Sequence, residues 1–346
     1  MRNTPPRRQS WRTCGSVALV LLVAVGLAPA ATGFGCYANY EEVGGLANWP
    51  AHVRLMRDSG MNTFALFCRD EVSLQEQIDA AVEDCMLEQS VPIFVISNVS
   101  PVVWKRLMPN WQEVVAQDTD PPPGCGPGEL AGFRAVVRAA KARARHPEGW
   151  PEIVAYNYDE PGHGEAEWDG QKHVGAIAKA HQDDGMRCGT SVCHPHIKDL
   201  VPYLDVLCVN LIIGGDLLGC KKAIQDCGKT FWIYEIHTRR FTPEALRLHV
   251  GLYTWQIQPE SRLTWSWKDL LGEQADMAHP QTNARLQAYA QGRADFEALT
   301  EMEWRLKRLR DCFDWEGFPM EQFTGPEPRE PNKWVPVPAW FELVPK

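Results

Sequence analysis

The chain has 346 residues, 35 Lys and Arg against 44 Asp and Glu, a formal net charge of −9 and 14 tryptophans. That length suits one large core, because barrel domains of about 250 residues or more fold as single units. The acidic balance argues against nucleic acid as a partner, and the basic block Lys141 to Arg145 reads as the solvated face of an amphipathic helix.

Residues 1–30 read as a signal peptide. Arg2, Arg7, Arg8 and Arg12 precede an apolar run from Val17 to Leu27, followed by Ala28-Pro29-Ala30. The expectation is an exported protein, periplasmic or extracellular. No membrane partner is expected after signal removal, since no later stretch approaches the ~20 apolar residues of a transmembrane helix. Loss of the four arginines takes the net charge from −9 to −13. Cys14 leaves with the signal, and ten of the 11 cysteines remain, an even number that suits an oxidising compartment, with pairing not readable from sequence.

From Gly33 onward, short apolar runs bounded by turn residues alternate with amphipathic segments, the pattern of repeated βα units around a parallel sheet. Strands are predicted at Gly33 to Ala38, Asn62 to Cys68, Val91 to Ser97 and Ile153 to Glu160. Four more follow at Cys188 to Cys193, Val206 to Leu211, Thr230 to His237 and Arg262 to Lys268. Helical spacing marks Trp49 to Ser59, Leu74 to Glu88, Leu130 to Arg145, Glu167 to Asp184, Asp216 to Cys227 and Pro243 to Tyr253, with a shorter segment at His196 to Leu204. Eight such units predict the α/β class and a (β/α)8 TIM barrel over residues 31–311. A doubly wound open sheet fits the same alternation, but no glycine-rich phosphate loop follows any strand. Gly124-Cys-Gly-Pro-Gly128, after three prolines, is placed either to rim the site or to act as a spacer. Thr282 to Arg310 predicts one or two extra C-terminal helices. Residues 312–346, rich in Pro and carrying Trp334 and Trp340, predict an extended strap too short for its own core.

The fourth strand runs Tyr156-Asn-Tyr-Asp-Glu-Pro-Gly162, which puts Asp159 and Glu160 at the carboxyl end of a barrel strand, the face that carries barrel active sites. Pro161 stops the ladder, so strict side-chain alternation need not hold and both acids can reach one pocket. Hydrolysis of an acetal needs a proton for the leaving oxygen and negative charge to offset the oxocarbenium ion, and two carboxyls supply both. In the ordinary retaining scheme the carboxyls face each other across the bond, about 5 Å apart, which adjacent residues do not easily do. With a 2-acetamido sugar, the substrate's own carbonyl oxygen attacks the anomeric carbon. Asp159 then orients the amide, and Glu160, its pKa raised by burial or by the charge beside it, protonates the leaving oxygen. A DE pair ending a strand also fits a solvated pair or a helix cap.

The segments Tyr158-Asp159-Glu160-Pro161, Gly228-Lys-Thr-Phe-Trp-Ile-Tyr234, Leu263-Thr-Trp-Ser-Trp267 and Arg285 to Leu299 resemble the catalytic barrel of glycoside hydrolase family 123 and the related domain of unknown function 4091. The resemblance spans most of the chain after the signal. It implies a retaining, acetamido-assisted β-N-acetylhexosaminidase or galactosaminidase-like activity, with Asp159 as the orienting acid and Glu160 as the proton donor. The chain departs from the family in lacking a β-sandwich before the barrel and in reading Ala294-Asp-Phe-Glu297 in the closing helix.

Further candidates for binding a carbohydrate substrate are Tyr158, Asn210, Tyr234, Glu235, His237, Trp265 and Trp267. Flat aromatic faces pack against the C–H faces of sugar rings, and Trp265 and Trp267 are expected to share one strand face. Glu235 is the acid able to face Glu160 in a conventional mechanism on glycosides without an acetamido group. A non-catalytic carbohydrate-binding barrel is the third reading. No cofactor is implied, since acid–base hydrolysis needs only carboxyls and water. No metal site is expected either: no CxxC occurs, and His194-Pro-His196 reads as a surface loop. Oligomeric state is not readable.

Overall fold

The computed structural model describes residues 31–97, 127–156, 170–183, 185–192, 197–211, 217–236, 238–272 and 280–306. Eight strands lie among them: β1 (Gly33–Asn39), β2 (Thr63–Cys68), β3 (Ile93–Ser97), β4 (Ile153–Tyr156), β5 (Cys188–Val192), β6 (Val206–Asn210), β7 (Thr230–Glu235) and β8 (Ser261–Thr264). Each pairs in parallel with the next, and β8 pairs with β1 through Gly33↔Ser261 to Cys36↔Thr264, closing the barrel. This is the (β/α)8 barrel expected from the sequence.

The strands are apolar on both faces because both are covered, one by the barrel's own filling and the other by helices. On β1, Phe34, Cys36 and Ala38 join the core beneath the helices while Tyr37 joins the barrel interior. On β7, Phe231 and Ile233 face the helices, and Trp232 and Tyr234 face the axis. The interior is packed solid by Tyr37, Phe94, Tyr156, Trp232, Tyr234 and Leu263 among others. Gly189 on β5 makes room for this filling, since a Cβ there would stand 2.8 Å from Cε1 of Phe94.

Some of the helices begin where short polar side chains satisfy the first free N–H groups. Asp70 caps the helix Glu71–Glu83, its side chain accepting from the Ser73 N–H at 2.7 Å while the Ser73 hydroxyl accepts from the Asp70 N–H. Thr242 caps Pro243–Leu248, with proline at the first helical position, where no N–H is needed. The C-terminal segment forms one helix of 27 residues, Pro280–Leu306. Its Gly292 faces Gly251. A Cβ at Gly251 would lie 2.6 Å from the Gly292 carbonyl oxygen, and one at Gly292 2.6 Å from that of Arg247, so the two glycines allow backbone-to-backbone contact.

Element ends shift by a few residues at several places, the helix expected at Leu74 to Glu88 spanning Glu71–Glu83, for example, and two differences bear on the site. The predicted strand Arg262 to Lys268 ends at Thr264, and a short helix, Trp267–Leu271, capped by Ser266, follows it. The predicted helix Pro243 to Tyr253 is α-helical to Leu248 and continues as a π-turn, His249–Tyr253. Asn157 to Glu160, the glycine loop up to Gly126, His194 with His196, and the strap 312–346 lie outside the described residues. Among the described residues, no helix is long and apolar enough to cross a membrane.

Candidate active site

Tyr37, from β1, is the hub of the barrel interior toward the carboxyl ends of the strands. Its ring meets Tyr156 at 6.3 Å and Tyr234 at 6.2 Å, both edge-on, and Trp265 at 4.8 Å in a tilted contact. Its hydroxyl lies 2.6 Å from Ser191 Oγ on β5, and Ser191 Oγ lies 2.5 Å from the Tyr156 hydroxyl on β4. The Tyr156 oxygen also accepts from the Ser191 N–H at 3.3 Å. Three hydroxyls from strands β1, β4 and β5 are thus linked across the barrel. On the next strands Asn210 and Tyr234 stand side by side in register, and Asn210 Nδ2 donates to the Tyr234 hydroxyl at 3.2 Å. Tyr37, Tyr156, Ser191, Asn210 and Tyr234 are buried, whereas Trp265, Phe67 and Ile236 are half-buried above them. The result is an aromatic floor with polar edges whose half-exposed members suit the apolar face of a ring-shaped ligand.

Of the residues singled out in the sequence, Asn210, Tyr234 and Trp265 come together on this floor. Tyr158, Asp159, Glu160 and His237 lie outside the described residues. Tyr156, at the end of described β4, stands three positions before Asp159 in the chain.

Glu235 does not face the mouth. It follows inward-facing Tyr234, so alternation turns its side chain to the outer face shared with Ile233, where it is fully buried. There the Thr238 hydroxyl reaches both a Glu235 carboxylate oxygen and the Trp265 carbonyl oxygen, the latter at 2.9 Å. Arg285, from the helix Pro280–Leu306, closes the cluster: it donates to the carbonyl oxygens of Asp269 at 3.1 Å and of Thr238. Burial pulls the Arg285 guanidinium below its ordinary pKa, opposed by the charges of Glu235 and Asp269. This buried group holds the Trp265 backbone from behind.

Trp267 is also placed elsewhere than expected. It opens the helix after β8 rather than sharing a strand face with Trp265, and it is buried among Trp49, Phe241 and other residues beneath the helices. Its indole N–H donates to Nδ1 of His52 at 3.1 Å, and burial lowers the pKa of that imidazole, which suits its role as a neutral acceptor. Ser266 caps the helix Trp267–Leu271, its hydroxyl oxygen accepting from the Asp269 N–H at 3.4 Å.

The sequence reading missed Tyr37, Ser191, Phe67 and Thr238. A weak signal existed: Tyr37 alternates with the helix-facing Phe34, Cys36 and Ala38, so period two puts it inside. Nothing in the order of residues pairs it with Ser191, 154 positions away. Among the described residues, no group of three or more His, Cys, Asp or Glu side chains is placed to hold a metal ion.

No family model matches the chain, and no curated protein matches it. Several solved structures are similar in architecture. A glycoside hydrolase family 30 subfamily 8 xylanase from Clostridium acetobutylicum aligns with TM-score 0.44 and 11% identity, over 76% of this chain and 70% of its own. A glycoside hydrolase family 113 β-1,4-mannanase gives 0.42 and 13%, over 76% and 98%. Tryptophan synthase subunit alpha from Legionella pneumophila gives 0.41 and 9%, over 77% and 93%. At these values none of the three bears on the chemistry of this chain.

Proposed function

We propose that this chain is an exported glycoside hydrolase of 2-acetamido sugars, with Asp159 orienting the acetamido group and Glu160 acting as acid and base. The observation that carries the reading is the aromatic and hydroxyl floor, whose β4 member Tyr156 leads within four residues of sequence to that adjacent acid pair. Trp265, half-buried over Tyr37, supplies the face on which a sugar ring packs. The resemblance to glycoside hydrolase family 123 supports the same assignment of the two acids. The outward turn of Glu235 disfavours a conventional pair of Glu160 with Glu235, so nucleophilic help is assigned to the substrate.

Chromogenic β-N-acetylgalactosaminide and β-N-acetylglucosaminide test the proposal. Wild type is expected to hydrolyse at least one, and Glu160→Gln to lose roughly 10²- to 10⁴-fold in kcat. Asp159→Asn is expected to lose comparable activity on these substrates, and neither protein should turn over a glycoside lacking the acetamido group. Undiminished turnover by Glu160→Gln removes the proposal. Sugar binding by calorimetry with no product after long incubation replaces it with a non-catalytic carbohydrate-binding barrel. Export is tested by N-terminal sequencing of protein recovered outside the cytoplasm, with cleavage expected after Ala30.

A further inference from the structure

Arg262, the second residue of β8, is fully buried. Its neighbour Leu263 faces the barrel interior, so Arg262 points the other way, toward the helix Pro280–Leu306, and its guanidinium carbon lies 5.7 Å from the centre of the Tyr289 ring. Nη1 donates to Thr264 Oγ1 at 2.8 Å, whereas Nε and Nη2 have no hydrogen-bond partner. Those two nitrogens form one edge of the guanidinium, with parallel N–H bonds in the fork that grips an anion side-on.

Arginine keeps its charge in proteins, and a buried charge without a counter-charge is strongly disfavoured. Among the described residues, no carboxylate makes an ion pair with Arg262. The polar neighbours are Cys36, which pairs with Thr264 across the β1–β8 seam, and Tyr289, whose hydroxyl donates to the Gly35 carbonyl oxygen at 3.2 Å and also interacts with the Thr264 and Arg262 side chains. Neither supplies negative charge at neutral pH: burial pushes the Cys36 thiol far up and carries the Tyr289 phenol up to about 12 despite the nearby arginine.

We propose that the Nε–Nη2 edge of Arg262 is a buried site for a monatomic anion, chloride under ordinary conditions, set between β8, β1 and the helix Pro280–Leu306. The two N–H groups without a hydrogen-bond partner supply direction and the guanidinium supplies charge; because both nitrogens are buried, the ion proposed is the smallest kind, a single atom, rather than sulfate, phosphate or a carboxylate. The ion neutralises the seam where the barrel closes, so its role is structural and independent of the hydrolase reading.

The test is thermal unfolding of the full chain at constant ionic strength, with sodium gluconate exchanged stepwise for sodium chloride or bromide. Specific binding is expected to raise Tm by about 2–4 °C per tenfold rise in halide above its dissociation constant. Arg262→Met, similar in length without the fork, is expected to lose that dependence. Should this variant not fold, crystals of wild type grown in bromide decide the matter, with an anomalous peak expected within about 3.5 Å of both Nε and Nη2. Coincident melting curves in gluconate and chloride, an unchanged halide response in Arg262→Met, or bromide-grown crystals with water or no peak at the fork would each overturn the site.

Discussion

Asp79 shows how a single buried carboxylate is kept ionised. Burial pushes its pKa up, but the Arg145 N–H at 2.9 Å, Gln75 Nε2 at 2.6 Å, Trp150 Nε1 at 2.9 Å and the charge of Arg145 outweigh it, leaving the group below its ordinary 3.8. A group depressed in the folded state stabilises fully above the unfolded value and loses that contribution as pH falls through the folded one. Asp79→Asn is therefore expected to destabilise by about 2–3 kcal/mol at neutral pH and to flatten the acid limb in urea titrations below about pH 4. His52 acts in a neighbouring window. Burial lowers its pKa from 6.5, so below that pH the unfolded chain takes up a proton that the folded chain resists, and stability falls on acidification. His52→Gln is expected to remove this slope, measured by urea unfolding between about pH 7.5 and 5.5. The mouth depends on single residues in a different way: Tyr37 touches three aromatic neighbours and one hydroxyl, so one side chain sets the level of the whole floor.

Between elements, the informative group is Glu235 with Thr238 and Arg285. β7, the turn Thr238–Arg240, the end of β8 and the final helix meet there, and the Thr238 hydroxyl is the link to the Trp265 carbonyl. Thr238→Val removes the single O–H donor that a buried carboxylate and a carbonyl share, at an expected cost of about 1–3 kcal/mol. If Trp265 is the sugar platform, the same change is expected to raise KM several-fold with a smaller change in kcat, because it displaces a binding surface without touching the reacting groups. Parallel measurement of KM, kcat and Tm separates that effect from simple destabilisation. The sequence placed Tyr234 and Glu235 alike at the mouth by their position near the end of the seventh strand. A period of two sends such neighbours to opposite faces, Tyr234 to the axis and Glu235 outward.

For the molecule as a whole, closure is what the last elements accomplish. β8 completes the ring against β1, and Tyr289 in the final helix bonds to the Gly35 carbonyl, joining residues 254 apart in the chain. The helix Pro280–Leu306 also packs at Gly251 and carries Arg285 into the cluster behind the mouth. A chain ending at residue 279 is expected to lose cooperative unfolding, with far-UV and near-UV circular dichroism no longer changing together on heating. Retention of one sharp, coincident transition would show that the ring closes without this helix.

What the sequence determined by itself is the eight-fold alternation of apolar runs and amphipathic segments, hence the barrel class, since hydrophobic periodicity is local and both faces of a parallel strand must be covered. It also marked Asn210, Tyr234 and Trp265, because the carboxyl ends of barrel strands are countable along the chain. Tertiary structure decided which polar groups meet. The Tyr37–Ser191–Tyr156 chain, the outward turn of Glu235, the burial of Trp267 against His52 and the bare edge of Arg262 all arise from contacts across strands and layers. Such contacts depend on register and helix packing, and neither is encoded within the short window of residues that sets a strand or a cap.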